Sequence, residues 1–170
     1  VIRSRLALVA LVLAAAGTTL AGCGVLPHGG DAPRDPSGTP TASNGNASAF
    51  SIKVGDCLDD ADIQGKTTTA PIVPCSDPHD SEAYAAFTLK DGDYPGDDAV
   101  QADADAGCSG TAFANFVGIA SSDSTLQYSY YFPTQDSWAG GDREIMCTVY
   151  AVDDAGKPVK VTGTLKDSAR

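Results

Sequence analysis

The apolar positions of this chain change their spacing several times, and each spacing predicts a different element. Leu6 to Ala16 is a continuous apolar run behind Arg3 and Arg5, followed by small residues. At about 11 residues it is too short for a lasting membrane span, which needs ~20, and it reads as a signal sequence. From Gly24 to Ala49 apolar residues are sparse and Gly, Pro, Ser, Thr and Asn dominate, the composition of a disordered tether. Phe50-Ser-Ile52-Lys-Val54 then alternates apolar and polar residues as a half-buried strand does. Ala70 to Cys75 predicts a short edge strand, because Pro71 and Pro74 each remove a ladder donor. Ala83 to Leu89 predicts a third strand.

The period then lengthens. Val100, Ala104, Gly107, Cys108, Thr111, Ala112 and Asn115 follow a spacing of three and four, which predicts one helix with Cys108 on its inward face. Asp97 is its expected cap and Gly118 its expected end. Leu126 to Pro133 is a strand rich in aromatics, and Thr134 to Asp142 a helical turn followed by a loop. Glu144 to Val152 is a long strand, and Val159 to Leu165 returns as its hairpin partner. One helix laid on a small antiparallel sheet of short strands is an α+β fold.

The N-terminal run ends in Leu20-Ala21-Gly22-Cys23. These residues resemble the lipobox of bacterial lipoproteins, which implies cleavage before Cys23 and a diacylglycerol on its thiol. No second apolar stretch of spanning length follows. The expected organisation is a lipoprotein signal peptide at 1–22, a lipidated Cys23 leading a tether through residue 49, a globular domain at 50–165 and a tail at 166–170. A coil of the tether's length has a mean reach of ~30 Å, enough to lift the domain off the lipid headgroups.

The chain carries 11 basic and 22 acidic residues, a formal charge of −11. Losing Arg3 and Arg5 with the signal leaves 9 basic residues against 22 acidic, or −13. Such a protein repels nucleic acid and anionic lipid surfaces, so its partners are expected to be cationic, neutral or metal-bearing. Apart from Cys23 there are four cysteines, Cys57, Cys75, Cys108 and Cys147. An even number in an exported domain argues for two disulfides. Three pairings are open, and local spacing favours Cys57–Cys75 with Cys108–Cys147. A four-thiolate zinc site would call for cysteines paired two to four residues apart, and the chain has none.

Candidate chemistry gathers in Cys75-Ser76-Asp77-Pro78-His79-Asp80-Ser81-Glu82. Asp77, His79, Asp80 and Glu82 form a candidate binding cluster around the one histidine of the predicted domain. A hard cation or zinc is one reading. The favoured reading is structural, a Ser-Asp-Pro turn after the disulfide with His79 bonded to a neighbouring loop or strand. Neither a metal nor a cofactor is therefore assigned. A hydrolase would need a nucleophile, a base and an orienting group. Ser76 and Ser81 lie too close to His79 in sequence for an ordinary triad, and there is no G-x-S-x-G and no C-x-x-C. Tyr128 and Tyr130 share one strand face while Tyr131 lies opposite, so one set is expected in the core and the other can meet a partner. Arg143, between Asp142 and Glu144, is expected to make an internal salt bridge.

Gly55-Asp56-Cys57-Leu58, Val73-Pro74-Cys75-Ser76-Asp77-Pro78-His79-Asp80-Ser81-Glu82-Ala83-Tyr84, Tyr94-Pro95-Gly96-Asp97-Asp98, Tyr131-Phe132-Pro133-Thr134, Ser137-Trp138, Gly141-Asp142-Arg143-Glu144 and Cys147 together resemble the actinobacterial septum formation family of exported proteins. The resemblance spans roughly residues 53–150 and implies an envelope setting with all four cysteines in the domain. It brings no catalytic residues with it. The expected function is a lipid-anchored, extracytoplasmic, non-enzymatic binding module on the outer face of the cytoplasmic membrane. Its partner would be an envelope protein or cell-wall component, with a link to septum formation. A wall hydrolase or a metal-binding protein using the Asp77, His79, Asp80 and Glu82 cluster is the alternative.

Overall fold

Among the described residues strand pairing is antiparallel throughout, and it brings segments from residue 44 to residue 159 into one curled sheet. The computed structural model describes residues 30–63 and 65–170, so the predicted signal sequence and Cys23 lie outside the described residues. The strands are β1 (Asn44–Ser48), β2 (Cys57–Leu58), β3 (Thr69–Val73), β4 (Ser81–Thr88), β5 (Gln127–Tyr131), β6 (Glu144–Val152) and β7 (Pro158–Val159). They run in the order β1-β3-β2-β4-β6-β5, and β7 also pairs with β6. The helices are α1 (Asp97–Ser109), α2 (Thr111–Val117) and the short α3 (Gln135–Ala139). The α+β class holds, with one main bent helix over 97–117 packed on the sheet.

The helix buries Val100, Ala104 and Cys108 at a spacing of four, as the periodicity predicts. It breaks at Gly110, and the buried positions beyond are Phe113 and Val117. Thr111 and Asn115, expected on the inward face, are exposed, because the bend at Gly110 rotates the second half. Asp97 is a first-turn residue rather than the cap. Gly96 holds that position with φ +97° and makes no side-chain cap bond, while Asp97 still suits the helix dipole. Gly118 closes α2 in the left-handed region, as glycine does best.

The sheet face under the helix supplies Tyr84, Ile145, Cys147 and Val149 to the main core. A bulge falls between Ala83 and Ala85 against β6. The extra residue is Tyr84, and a bulge re-aims its side chain: the hydroxyl donates to the Cys108 carbonyl beneath the helix. Cys108–Cys147 ties helix to sheet, and Cys57–Cys75 ties β2 to the end of β3. Both are the pairings that spacing favours.

Three sequence expectations move. Phe50 to Val54 is not a strand. Ala49–Ser51 forms a 3-10 turn, with Phe50 and Val54 exposed and Ile52 alone buried. β3 is not an edge, because β1 and β2 flank it. Pro71 is tolerated there since β1 slips register opposite it, between Asn44 and Ala47, where a missing N–H breaks no ladder bond. Beyond β7 the return strand stops, and Val161 instead exchanges backbone bonds with His79. Leu165 then drops into the main core.

The largest change concerns the predicted tether. From residue 30 onward it is packed structure rather than coil. Ala32 and Ala47 are buried in a second core with Ile52, Leu58, Ala70, Ile72, Ala83 and Met146. Arg34 lies across this segment. Its two terminal nitrogens donate to Asp56 Oδ1 and Oδ2 at 2.6 and 2.7 Å, and Nε donates to Asp31 at 2.9 Å. Asp56 is 2% exposed. A bidentate, charge-assisted pair of this kind orders a segment whose small residues offer little apolar area. The predicted tail is also engaged: the Asp167 and Ala169 amides donate to the Phe116 and Val117 carbonyls, satisfying the end of α2.

Candidate functional site

The predicted cluster does not assemble. Asp77 is exposed in the turn, and its carbonyl accepts from His79 Nδ1 at 2.8 Å. The His79 backbone is spent on Val161, and its ring is fully buried with Nε2 lacking a partner. Glu82 points the other way: it accepts from Thr164 Oγ1 at 2.7 Å and from the Leu165 amide at 2.6 Å. Asp80 accepts from the Ala61 amide at 3.0 Å and faces Lys160 at 3.7 Å. The four side chains therefore serve separate places: Asp77 the exposed turn, His79 the bridge to Val161, Asp80 the Ala61 amide and Lys160, and Glu82 the Thr164–Leu165 segment. Among the described residues, the His, Cys, Asp and Glu ligand atoms that do converge belong to Cys57, Cys75 and Glu82. Those two sulfurs are joined in a disulfide, so they offer no thiolate.

Arg143 makes the internal contacts expected of it. Its guanidinium stacks 3.8 Å over the Trp138 ring, pairs with Asp91 at 2.9 Å and donates to the Trp138 and Asp142 carbonyls. Tyr128 and Tyr130 pack against the main core, and Tyr131 lies on the opposite face.

That opposite face carries a cavity of about 460 Å³. Asp60, Asp80, Ser81, Tyr131 and Tyr150 line it on this face, and Tyr130 and Phe132 also touch it although both pack against the main core. Thr148 and Tyr150 reach it because they alternate with Cys147 and Val149 along β6, which face the helix. A second hollow of about 490 Å³ adjoins it, sharing Lys66, Thr67, Tyr131, Phe132 and Thr134, and extends to Phe50, Asp136, Asp142 and Glu144. Together they form a groove across the sheet.

Asp60 anchors the cavity. Oδ1 accepts from the Ser81 hydroxyl at 2.7 Å and Oδ2 from the Tyr131 hydroxyl at 2.9 Å. Both donors are neutral, and among the described residues no cationic nitrogen lies within ion-pair distance of Asp60. Burial pushes its carboxyl above the usual range, against the two hydroxyl bonds that hold it down. Tyr131 is raised as well, by burial and by the Asp60 charge. Next door, burial and the neighbouring Asp59 raise Asp80, while the Lys160 ammonium lowers Asp59. Ser81 donates its hydroxyl hydrogen bond to the Asp60 carboxylate and not to an imidazole, so the cavity displays carboxylate acceptors and aromatic faces.

An ionised carboxylate kept half out of water without a cation costs stability. Its folded pKa lies above the unfolded value, so that cost is present above the folded pKa and is relieved as pH falls toward 3.8, its ordinary value. Asp60→Asn is therefore expected to leave the melting temperature at about pH 7 unchanged or raised. It should also remove the stability that the parent gains on acidification through this group. Thermal melts of both proteins between about pH 7 and about pH 4 check this; a variant several degrees less stable at neutral pH would contradict it.

Sequence reasoning missed Asp60 and Tyr150. Nothing local marks Asp60, and the one available signal was the alternation of Thr148 and Tyr150 with buried residues on β6. Residues 14–132 and 121–170 match the model of a family described as Septum formation. Neither the curated proteins nor the solved structures contain a match to the chain.

Proposed function

Since this chain belongs to the septum formation family, we propose that it is a lipid-anchored, extracytoplasmic binding module of the cell envelope with a septum-related role. The anchor is Cys23, at the end of a lipobox-like sequence. Two disulfides support an oxidising compartment outside the cytoplasm. No helix among the described residues is long and apolar enough to cross a membrane, so attachment there falls to lipid on Cys23. The outer face of the cytoplasmic membrane, facing the wall, is the site of action.

The observation that carries the binding reading is the groove. It is concave, aromatic-walled and furnished with convergent polar groups, the usual make-up of a ligand site. The hydroxyls of Ser81 and Tyr131 both donate to Asp60, an arrangement that supports recognition. The partner is an envelope protein or a cell-wall component, and the acidic surface argues against nucleic acid.

A photo-crosslinking residue placed at Thr67, on the shared rim of both hollows, is expected to capture an envelope component in living cells. The same residue at Asp103, on the exposed side of α1, should not. Equal capture from both positions, or turnover of wall fragments by purified protein, defeats the reading. Cys23→Ala is expected to move the protein from the membrane fraction to the soluble fraction or the medium, as loss of acyl chains requires. Fractionation and immunoblotting check it, and continued membrane association counts against the anchor.

A further inference from the structure

The cavity holds a carboxylate whose charge nothing in the described chain neutralises. Lys66 and Lys160 are the nearby lysines, and each ammonium is engaged elsewhere. Lys66 pairs with Asp97 at 3.8 Å in an exposed contact. Lys160 pairs with Asp59 and reaches Asp80 at 3.7 Å. Asp60 has only hydroxyl donors. Each of its oxygens has accepted one bond and retains a lone pair. A half-buried carboxylate in that condition is stabilised by a cation arriving with donors of its own.

Resting on the binding-module reading above, we propose that the cavity takes the primary ammonium of a lysine-type side chain, presented by a polypeptide. The ammonium sits on Asp60, and its aliphatic stem lies against Tyr131 and Tyr150. A compact group with three donors matches the free lone pairs, and aromatic faces attract a cation while packing a methylene stem. The neighbouring hollow continues past Lys66 to Asp136, Asp142 and Glu144. Length and acidity together suit an extended basic segment better than a free small amine, and a protein at −13 after export steers such a partner inward.

The test uses the purified protein and two synthetic peptides, acetyl-Gly-Gly-Lys-Gly-Gly-amide and the same peptide with its lysine Nε acetylated, titrated by NMR. The free amine is expected to bind and to shift resonances of Tyr131, Tyr150 and the Ala61 amide, while the acetylated peptide does not. Asp60→Asn is expected to weaken the free-amine peptide about thirtyfold, as removing one member of a buried charge pair does. Tyr150→Leu keeps Asp60 and should weaken it severalfold. If Asp60→Asn does not fold, the amine-against-acetyl comparison on the parent and on Tyr150→Leu decides. Equal binding of both peptides, undiminished binding by Asp60→Asn, or no binding of either peptide overturns the ammonium assignment. Those results leave the groove as a partner site standing if the Thr67 crosslink still captures a partner. Failure of that crosslink while the peptide titrations succeed removes the envelope reading instead.

Discussion

Arg34→Ala is expected to destabilise the protein by about 3–5 kcal/mol, the usual loss when one member of a buried ion pair is removed. The penalty falls on Asp56, which stays 2% exposed with the Lys53 amide as its remaining donor. Arg34 also bonds the Gly38 and Ser51 carbonyls, so its loss frees the loop that carries Ala32 into the second core. A chain begun at Phe50, where composition places the domain boundary, is expected to fare worse still. It loses β1, uncovers the edge of β3 and exposes Ile72 and Ala70. Urea unfolding of Arg34→Ala, and of chains begun at residues 30 and 50, checks both points. Arg34→Met combined with Asp56→Asn should recover part of the loss, since the buried charge is gone while the Lys53 amide keeps an acceptor. If Arg34→Ala unfolds within about 1 kcal/mol of the parent, the pair is only a surface ornament of the kind exposed salt bridges often are.

Replacing Cys108 and Cys147 together by alanine is expected to cost about 4 kcal/mol. The bridge joins residues 39 apart, and the chain-entropy estimate for a loop of that size gives ~4 kcal/mol at room temperature. Both sulfurs are fully buried between helix and sheet, so the variant also loses packing where Tyr84 donates to the Cys108 carbonyl. Cys57–Cys75 closes 18 residues, for which the same estimate gives ~3 kcal/mol. Against a stability of about 5–15 kcal/mol typical of such domains, the first loss consumes a large share. Denaturant midpoints of the two double-alanine variants should therefore rank with the Cys108/Cys147 variant lower. The reverse order would mean that β2 and β3 depend on their bridge more than the helix does on its own.

The elements legible in the sequence are those whose burial is apolar and periodic. Val100, Ala104 and Cys108 mark one helix face by spacing alone, and β6 is a run of residues buried on both sides. The disulfides followed because Cys57 and Cys75 sit at the paired strands β2 and β3, while the helix lays Cys108 over Cys147 of β6. The N-terminal segment was not legible for a physical reason: its buried residues are Ala32, Pro40 and Ala47, too small and too widely spaced to create a hydrophobic period. It is held by an arginine whose partner is 22 residues away. The site was hidden in the same way. Asp60 finds Ser81 at a separation of 21 and Tyr131 at 71, and nothing local distinguishes it from the adjacent Asp59. The cluster around His79 stood out because its residues are close in sequence, whereas Asp80 is spent on the Ala61 amide and Glu82 on Thr164 and Leu165.

Because the described structure already includes Gly30, at most seven residues separate Cys23 from it, rather than the 26 from Gly24 to Ala49. Fully stretched, seven residues span at most ~25 Å. With Cys23 acylated, the domain would ride close against the bilayer on a short leash, and its search volume would be a shallow cap. A partner embedded in the same membrane would then meet it at high effective concentration. One fixed in the outer wall would be beyond its grasp unless that wall came to the membrane.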